Sequence, residues 1–125
     1  MRLLADSHVL IWWADNPALL TPVARAAIAD PDNEVFMSAA SLWELGLKVA
    51  KGKLSLPANF VQTLRLGGFA DLPILARHAE RSLSLPPVHG DPFDRMLVAQ
   101  ALEEGLVLVS CDQWIASYGV RQIVA

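Results

Sequence analysis

Leu106-Val107-Leu108-Val109-Ser110-Cys111-Asp112 is an apolar run that stops on a polar cluster ending in an acid. Its first four residues are all aliphatic, with no alternation of apolar and polar side chains. That pattern predicts a strand covered on both faces, as in a parallel sheet between layers of helices. The flanking sequence fits this reading. Upstream, His89-Gly90-Asp91-Pro92-Phe93-Asp94-Arg95 opens a helix, with Asp91 as N-cap and Pro92 at the first helical position. The helix is expected over 92–104, and Gly105 ends it. Downstream, Gln113-Trp114-Ile115-Ala116 reads as one helical turn. Gly119-Val120-Arg121-Gln122-Ile123-Val124 reads as a last, edge strand.

Further out the same alternation continues. Arg2-Leu3-Leu4-Ala5-Asp6 is a second short buried strand that stops at an acid, and Ser7 to Trp13 forms a helix broken by Asn16-Pro17. Thr21-Pro22 opens a helix to about Ala29, and Glu34-Val35-Phe36-Met37 is a strand. A helix follows over 41–51, with Lys48 and Lys51 near its end and Gly52 beyond. Leu54-Ser55-Leu56 alternates and is expected to form a minor strand. Asn59 is expected to cap a helix to about Leu66, and Phe69 to Ile74 is extended. A helix near 76–84 ends before Pro86-Pro87. Strands that alternate with helices predict an α/β chain, a central parallel sheet flanked by helices, in a single domain over 1–125.

The chain has 125 residues, 54% of them hydrophobic, with one cysteine and a net charge of −3. Mean hydropathy is +0.36 and the isoelectric point about 5.5. No apolar run approaches the roughly 20 residues of a membrane helix. The first acid comes too early for a signal peptide, so a cytoplasmic chain is expected. Cys111 alone excludes an internal disulfide and a multi-cysteine zinc site. The acidic balance argues against nucleic-acid binding through bulk positive charge. It leaves room for an acidic site that reaches phosphates through cations. The apolar excess suggests a partner or a self-interface.

In parallel sheets, functional groups gather beyond the C-terminal strand ends. Asp6 and Asp112 fall at two such ends, and Asp94 lies in the first turn of a helix leading into the same region. Glu44 lies in a first turn if Ser41 caps its helix and in the second if Ser38 does. Carboxylates that converge there repel one another unless a cation balances them. Oxygen ligands without His or Cys suit Mg²⁺ or Mn²⁺ rather than zinc. Such ions activate water and stabilise a leaving oxygen, so hydrolysis of a phosphodiester is the expected chemistry. Each acid also has a structural reading. Asp6, Asp91 and Asp112 can cap helices, and Asp94 can act as a short capping-box acid. Glu44 can pair with Lys48 at i,i+4 or close a capping box with Ser41.

The residues resemble the PIN domain family, and within it the VapC-like ribonuclease toxins of type II toxin–antitoxin pairs. The resemblance covers nearly the whole chain. It rests on Leu3-Leu4-Ala5-Asp6-Ser7-His8, Ser38-Ala39-Ala40-Ser41-Leu42-Trp43-Glu44 and Gly52-Lys53-Leu54. It continues through the segment from Leu85-Pro86-Pro87 to Ala99-Gln100-Ala101, Leu108-Val109-Ser110-Cys111-Asp112 and Tyr118-Gly119-Val120. The resemblance implies a three-layer α/β/α fold and an endoribonuclease that depends on Mg²⁺ or Mn²⁺. It implies a homodimer, neutralised by a small antitoxin whose tail enters the active-site groove. Asp6, Glu44, Asp94 and Asp112 match the family's acidic quartet, and Asp91 an additional acid of the subgroup. Ser7 and Ser110 stand where the family often has Thr, and both keep a hydroxyl.

Around these acids, Ser7, Lys48 and Arg95 are candidates to contact RNA phosphate or an antitoxin carboxylate. For Lys48 the alternative is the ion pair with Glu44. For Arg95 it is a structural role, holding Asp91 through i,i+4 pairing. Lys51 and Lys53 form either a basic lip or an ordinary helix end. His89 is read as a helix-start residue, Trp12, Trp13 and Trp43 as core or interface, and Cys111 as inert packing. Two other function classes also place or preserve acids at strand ends: a receiver-like phosphoacceptor domain and a catalytically silent PIN scaffold. A receiver would want adjacent acids after its first strand and a Lys after its last; Asp6 stands alone and no Lys follows residue 53.

Overall fold

A computed structural model describes residues 1–125. Its five strands are β1 (Arg2–Ala5), β2 (Glu34–Ser38), β3 (Ala70–Leu72), β4 (Val107–Ser110) and β5 (Gln122–Val124). Its α-helices are α1 (Ser7–Asp15), α2 (Pro22–Ala29), α3 (Ala39–Ala50), α4 (Phe60–Leu66), α5 (Ala76–Ser84) and α6 (Pro92–Glu104). Short 3₁₀ segments occupy Pro17–Leu19 and Gln113–Tyr118. No helix is long and apolar enough to cross a membrane.

The strands form one sheet in the order β3-β2-β1-β4-β5, every pair parallel. Alternation along the strands divides the core in two. Leu3, Ala5, Val35, Met37, Val107 and Val109 face α1, α2, α3 and α4. Leu4 and Leu108 face the opposite way, against residues of α6 and the 3₁₀ segment after β4. The result is the three-layer α/β/α arrangement with a central parallel sheet. The crossovers explain why the layers differ. From β1 the chain steps outward through β2 to β3 with helices on one face. It then returns across the sheet to β4 with α5 and α6 on the other face. Right-handed crossovers require this change of face when the direction of travel reverses. The reversal occurs beside β1, so the crevice beyond the ends of β1 and β4 is the switch point where such sheets bind ligands.

Local chemistry sets most element ends. The Thr21 hydroxyl accepts Ala24 N–H, and the Asp91 carboxylate accepts Phe93 and Asp94 N–H ahead of Pro92. Gly105 ends α6 with φ 66°, the left-handed conformation that glycine enters without steric cost. Three expectations are corrected. Helix α3 starts at Ala39 because Ser38, not Ser41, caps it, its hydroxyl accepting Ala40 N–H at 3.0 Å. Leu54-Ser55-Leu56 forms no strand: Leu54 and Leu56 pack on the core, but their backbone joins no ladder. Asn59 precedes α4 with φ 57° and makes no side-chain cap, since that left-handed backbone turns its carboxamide away from the usual capping role.

Candidate active site

Asp6 is the first residue beyond β1 and only 4% exposed. Its Oδ1 accepts His8 N–H at 2.9 Å, which caps α1. Its Oδ2 accepts the Ser110 hydroxyl at 2.6 Å. The acid therefore caps a helix and faces the crevice at the same time. Ser110, fully buried at the end of β4, also accepts Asp112 N–H at 3.1 Å. One hydroxyl thus ties the acid after β1 to the backbone that carries the acid after β4. Asp112 stands at the cap position of the 3₁₀ segment, but its side chain makes no capping bond. The loop is held instead by Gln122, whose amide donates to the carbonyls of Ser110 and Asp112. The capping explanation for Asp112 is therefore removed.

With Ser38 as cap, Glu44 lies in the second turn of α3. Its Oε1 accepts the Ser7 hydroxyl at 2.6 Å, and Lys48 Nζ lies 3.5 Å from Oε2. The capping box with Ser41 does not form, and the Ser41 hydroxyl is buried without a partner. The ion pair with Lys48 does form, with the Lys48 side chain 45% exposed. Lys48 and Lys53 line one small cavity with Ser7 and His8.

On α6, Asp91 caps with Oδ1 alone, at 2.9 and 3.1 Å from the two amides. Asp94 lies in the first turn, a quarter exposed, and no hydrogen-bond donor reaches its carboxylate. Burial pushes Asp94 up to about 7, and the charges of Asp91, Asp6, Asp112 and Glu44 add to the rise. Asp6 is raised as well, mainly by burial, against the opposing bonds from Ser110 and His8. The Cys111 thiol is raised by burial and then by Asp6 and Asp112, which keeps it protonated and inert. The fold thus brings Asp6, Glu44, Asp91 and Asp112 within electrostatic reach of Asp94.

Arg95 is placed differently from the i,i+4 expectation. Its guanidinium donates to the carbonyls of Ser82, Leu85, Pro86 and His89, at 2.8 to 3.2 Å. It braces the loop before α6 rather than the Asp91 carboxylate. Beside Glu44 and Asp94, their neighbours Trp43 and Phe93 meet edge to face at 5.2 Å. They line a groove of about 380 Å³ with Ile74, Leu83 and Met96. Trp43 is 61% exposed there, which suits an interface more than a core.

No group of three or more His, Cys, Asp or Glu side chains stands ready-made to hold a metal ion. An all-oxygen donor set in which burial and neighbouring charge raise Asp6 and Asp94 nonetheless fits Mg²⁺ or Mn²⁺. Mg²⁺ in particular keeps several waters and needs only one or two carboxylates. Sequence reasoning missed two features of the site. The linking role of Ser110 required knowing that β1 and β4 are neighbours. The packing of His89 on Trp114, with ring centroids 4.2 Å apart, joins residues far apart in the chain. The one signal for the latter was a Trp two residues beyond Asp112.

The sequence model of the PIN domain family matches residues 3–120. Ribonuclease VapC22 of Mycobacterium tuberculosis is 31% identical over 118 residues, covering 92% of this chain and 90% of that protein. Among solved structures, VapBC2 from Rickettsia felis bound to a promoter DNA fragment is similar with a TM-score of 0.72 and 13% identity, over 99% of this chain and 98% of that one. FitAcB from Neisseria gonorrhoeae gives a TM-score of 0.64 and 21% identity, over 97% and 96% of the two chains. DNA-bound VapBC from Salmonella typhimurium gives 0.71 and 15%, over 99% and 98%. At such identities the structural likeness speaks to the fold.

Proposed function

This chain belongs to the PIN domain family, and from that premise we propose that it is an endoribonuclease of the VapC kind, the toxin of a toxin–antitoxin pair, working with Mg²⁺ or Mn²⁺. The observation that carries the metal-dependent reading is Asp94, raised to about 7 among four other acids with no donor on its carboxylate. A cation relieves that repulsion, and the crevice at the sheet's switch point is where an RNA phosphate meets it. Asp6, Glu44, Asp94 and Asp112 are the residues that would hold the ion, with Asp91 offering the oxygen its cap leaves free. The ion, when bound, supplies an activated water and neutralises charge that develops on the phosphate.

The chain's own side chains prepare this chemistry. Ser110 fixes the rotamer of Asp6, and Ser7 fixes that of Glu44. Lys48, partly exposed beside Glu44, offers a positive charge to an approaching phosphate or to a carboxylate of the antitoxin. Arg95 acts through the loop it braces. The partners in this reading are RNA, a small antitoxin and a second copy of the chain, in the cytoplasm. The relative's name, a ribonuclease, and the toxin–antitoxin complexes among the structural neighbours support it.

The test is sequencing of RNA ends after incubation with the purified chain. Cleavage is expected with Mg²⁺ or Mn²⁺, and none with a chelator or with Asp6→Asn. Undiminished cleavage by Asp6→Asn would sink the acidic-site reading. No cleavage under any condition would make the chain a silent scaffold.

A further inference from the structure

We propose that the face of His89 turned away from Trp114 is a stacking subsite for one unpaired base of a single-stranded RNA; this rests on the ribonuclease reading and extends it to substrate recognition. The two rings lie face to face, 4.2 Å between centroids and 9° from parallel. Tyr118 backs the pair, edge-on to Trp114 at 5.5 Å. The Tyr118 hydroxyl accepts His89 N–H at 3.0 Å, so the ring that carries the stack is pinned at its own backbone. Arg95 holds the His89 carbonyl from the other side, at 3.2 Å. These contacts give the rigid, pre-ordered platform that stacking on a flexible base requires.

The location argues for a base rather than for core packing. The His89 ring keeps 36% of its side-chain surface exposed, although Trp114 covers one face and its Nδ1 edge accepts Asp91 N–H. Trp114 and the Asp91 amide account for one face and one edge, which leaves the opposite face and the Nε2 edge to carry that exposure. Nδ1 lies 3.9 Å from Asp94 Oδ2, so this open face begins within one nucleotide's reach of the acids. Because Nδ1 accepts from Asp91, it offers Asp94 no proton, and the closeness does not serve an ion pair. A net negative chain has little general attraction for RNA; aromatic stacking supplies affinity that does not depend on phosphate charge. Every base has a π-face, so the subsite positions a nucleotide without dictating its identity.

The experiment uses short single-stranded RNAs carrying one 2-aminopurine, whose fluorescence is quenched on stacking, and the full chain made inactive by Asp6→Asn. That background separates binding from cleavage, so loss of the ribonuclease reading and loss of this one are read independently. Binding with quenching is expected, and His89→Ala should weaken it about tenfold or more and abolish the quenching. Two further variants separate the ring from its hydrogen bond. His89→Phe keeps the aromatic face and loses the acceptor for Asp91 N–H; it is expected to bind and quench like His89. His89→Asn keeps an acceptor and loses the ring; it is expected to behave like His89→Ala. The reverse order, with Asn restoring binding and Phe not, would assign His89 to the loop's hydrogen bonding and overturn the subsite. Equal quenching with His89 and His89→Ala, or none with either, would overturn it too.

Discussion

Helix α6 carries a carboxylate at each end, and the two are treated in opposite ways. At its N-terminal end, Asp94 is raised to about 7 by burial and by the acids around it. At its C-terminal end, Glu104 is held below its ordinary value by bonds from His78 and Arg77. The fully buried His78 ring accepts Leu75 N–H at Nδ1 and meets Glu104 at 2.7 Å through Nε2. Since Nδ1 accepts, Nε2 carries the proton and donates to Glu104. Arg2 donates to the Glu104 carbonyl as well. One end is electrostatically satisfied and joins α5 to α6. The other is left unsatisfied by the protein alone. Folding favours the first arrangement; in the proposed reading, a cation held among the acids offsets the second.

Exchanging charge for its neutral isostere at each end gives the sharpest contrast. Asp94→Asn is expected to lower RNA cleavage about a hundredfold or more while leaving the thermal midpoint unchanged or higher. Glu104→Gln is expected to keep cleavage and lower the midpoint. If both variants affected the same property, the distinction between the ends would fail. Next in size, His78→Ala should cost about 2–3 kcal/mol in urea unfolding, because it strands the Leu75 amide and Glu104 and leaves a cavity. Cleavage at permissive temperature should persist.

A pH titration separates the ends without mutation. A carboxyl raised by folding stabilises the fold fully below its ordinary value and loses that contribution as pH climbs through the folded value. For Asp94 the window runs from its ordinary 3.8 to about 7. The cation-free chain should therefore lose a few degrees of thermal midpoint between about pH 4 and pH 7, and Mg²⁺ or Mn²⁺ should restore them. Glu104 has the opposite sign: its contribution is present above its ordinary value of 4.5 and lost as pH falls through the lowered one. A midpoint that rises steadily from pH 4 to 7 without metal would contradict the repulsion at Asp94. The smallest effect belongs to the Lys48–Glu44 pair, 3.5 Å apart, whose lysine is 45% exposed. Lys48→Ala should change stability by less than about 0.5 kcal/mol, so any larger loss would be in RNA or antitoxin binding and would mark a functional charge.

Elements set by local capping or by burial on both faces were the most legible in sequence. Asp91-Pro92 and Thr21-Pro22 start helices where their chemistry says they should, because an N-cap oxygen and a preset φ act within a few residues. Strands β1 and β4 were readable because both faces are buried, which leaves apolar residues along them except Arg2 and Ser110 at their ends. The cap of α3 was not decidable locally. Ser38 and Ser41 are equally good caps, and Ser38 wins as the last residue of β2, where its backbone is already extended. Leu54 and Leu56 alternate because they touch the core, but a strand also needs a sheet edge in reach, and this segment runs beside α3 and α4 instead.

Residue types and their spacing determined by themselves that this chain is a parallel α/β protein with acids at strand ends and helix starts. Those properties depend on short-range sterics, capping and the burial of apolar runs. Only the tertiary structure decided that Asp6 and Asp112 share one serine, that Asp112 does not cap, and that Arg95 serves carbonyls. It alone separated the strained acid at one end of α6 from the satisfied acid at the other. A side chain's charge state and partners depend on what lies a few ångströms away, and in a sheet ordered β3-β2-β1-β4-β5 those neighbours come from a hundred residues along the chain.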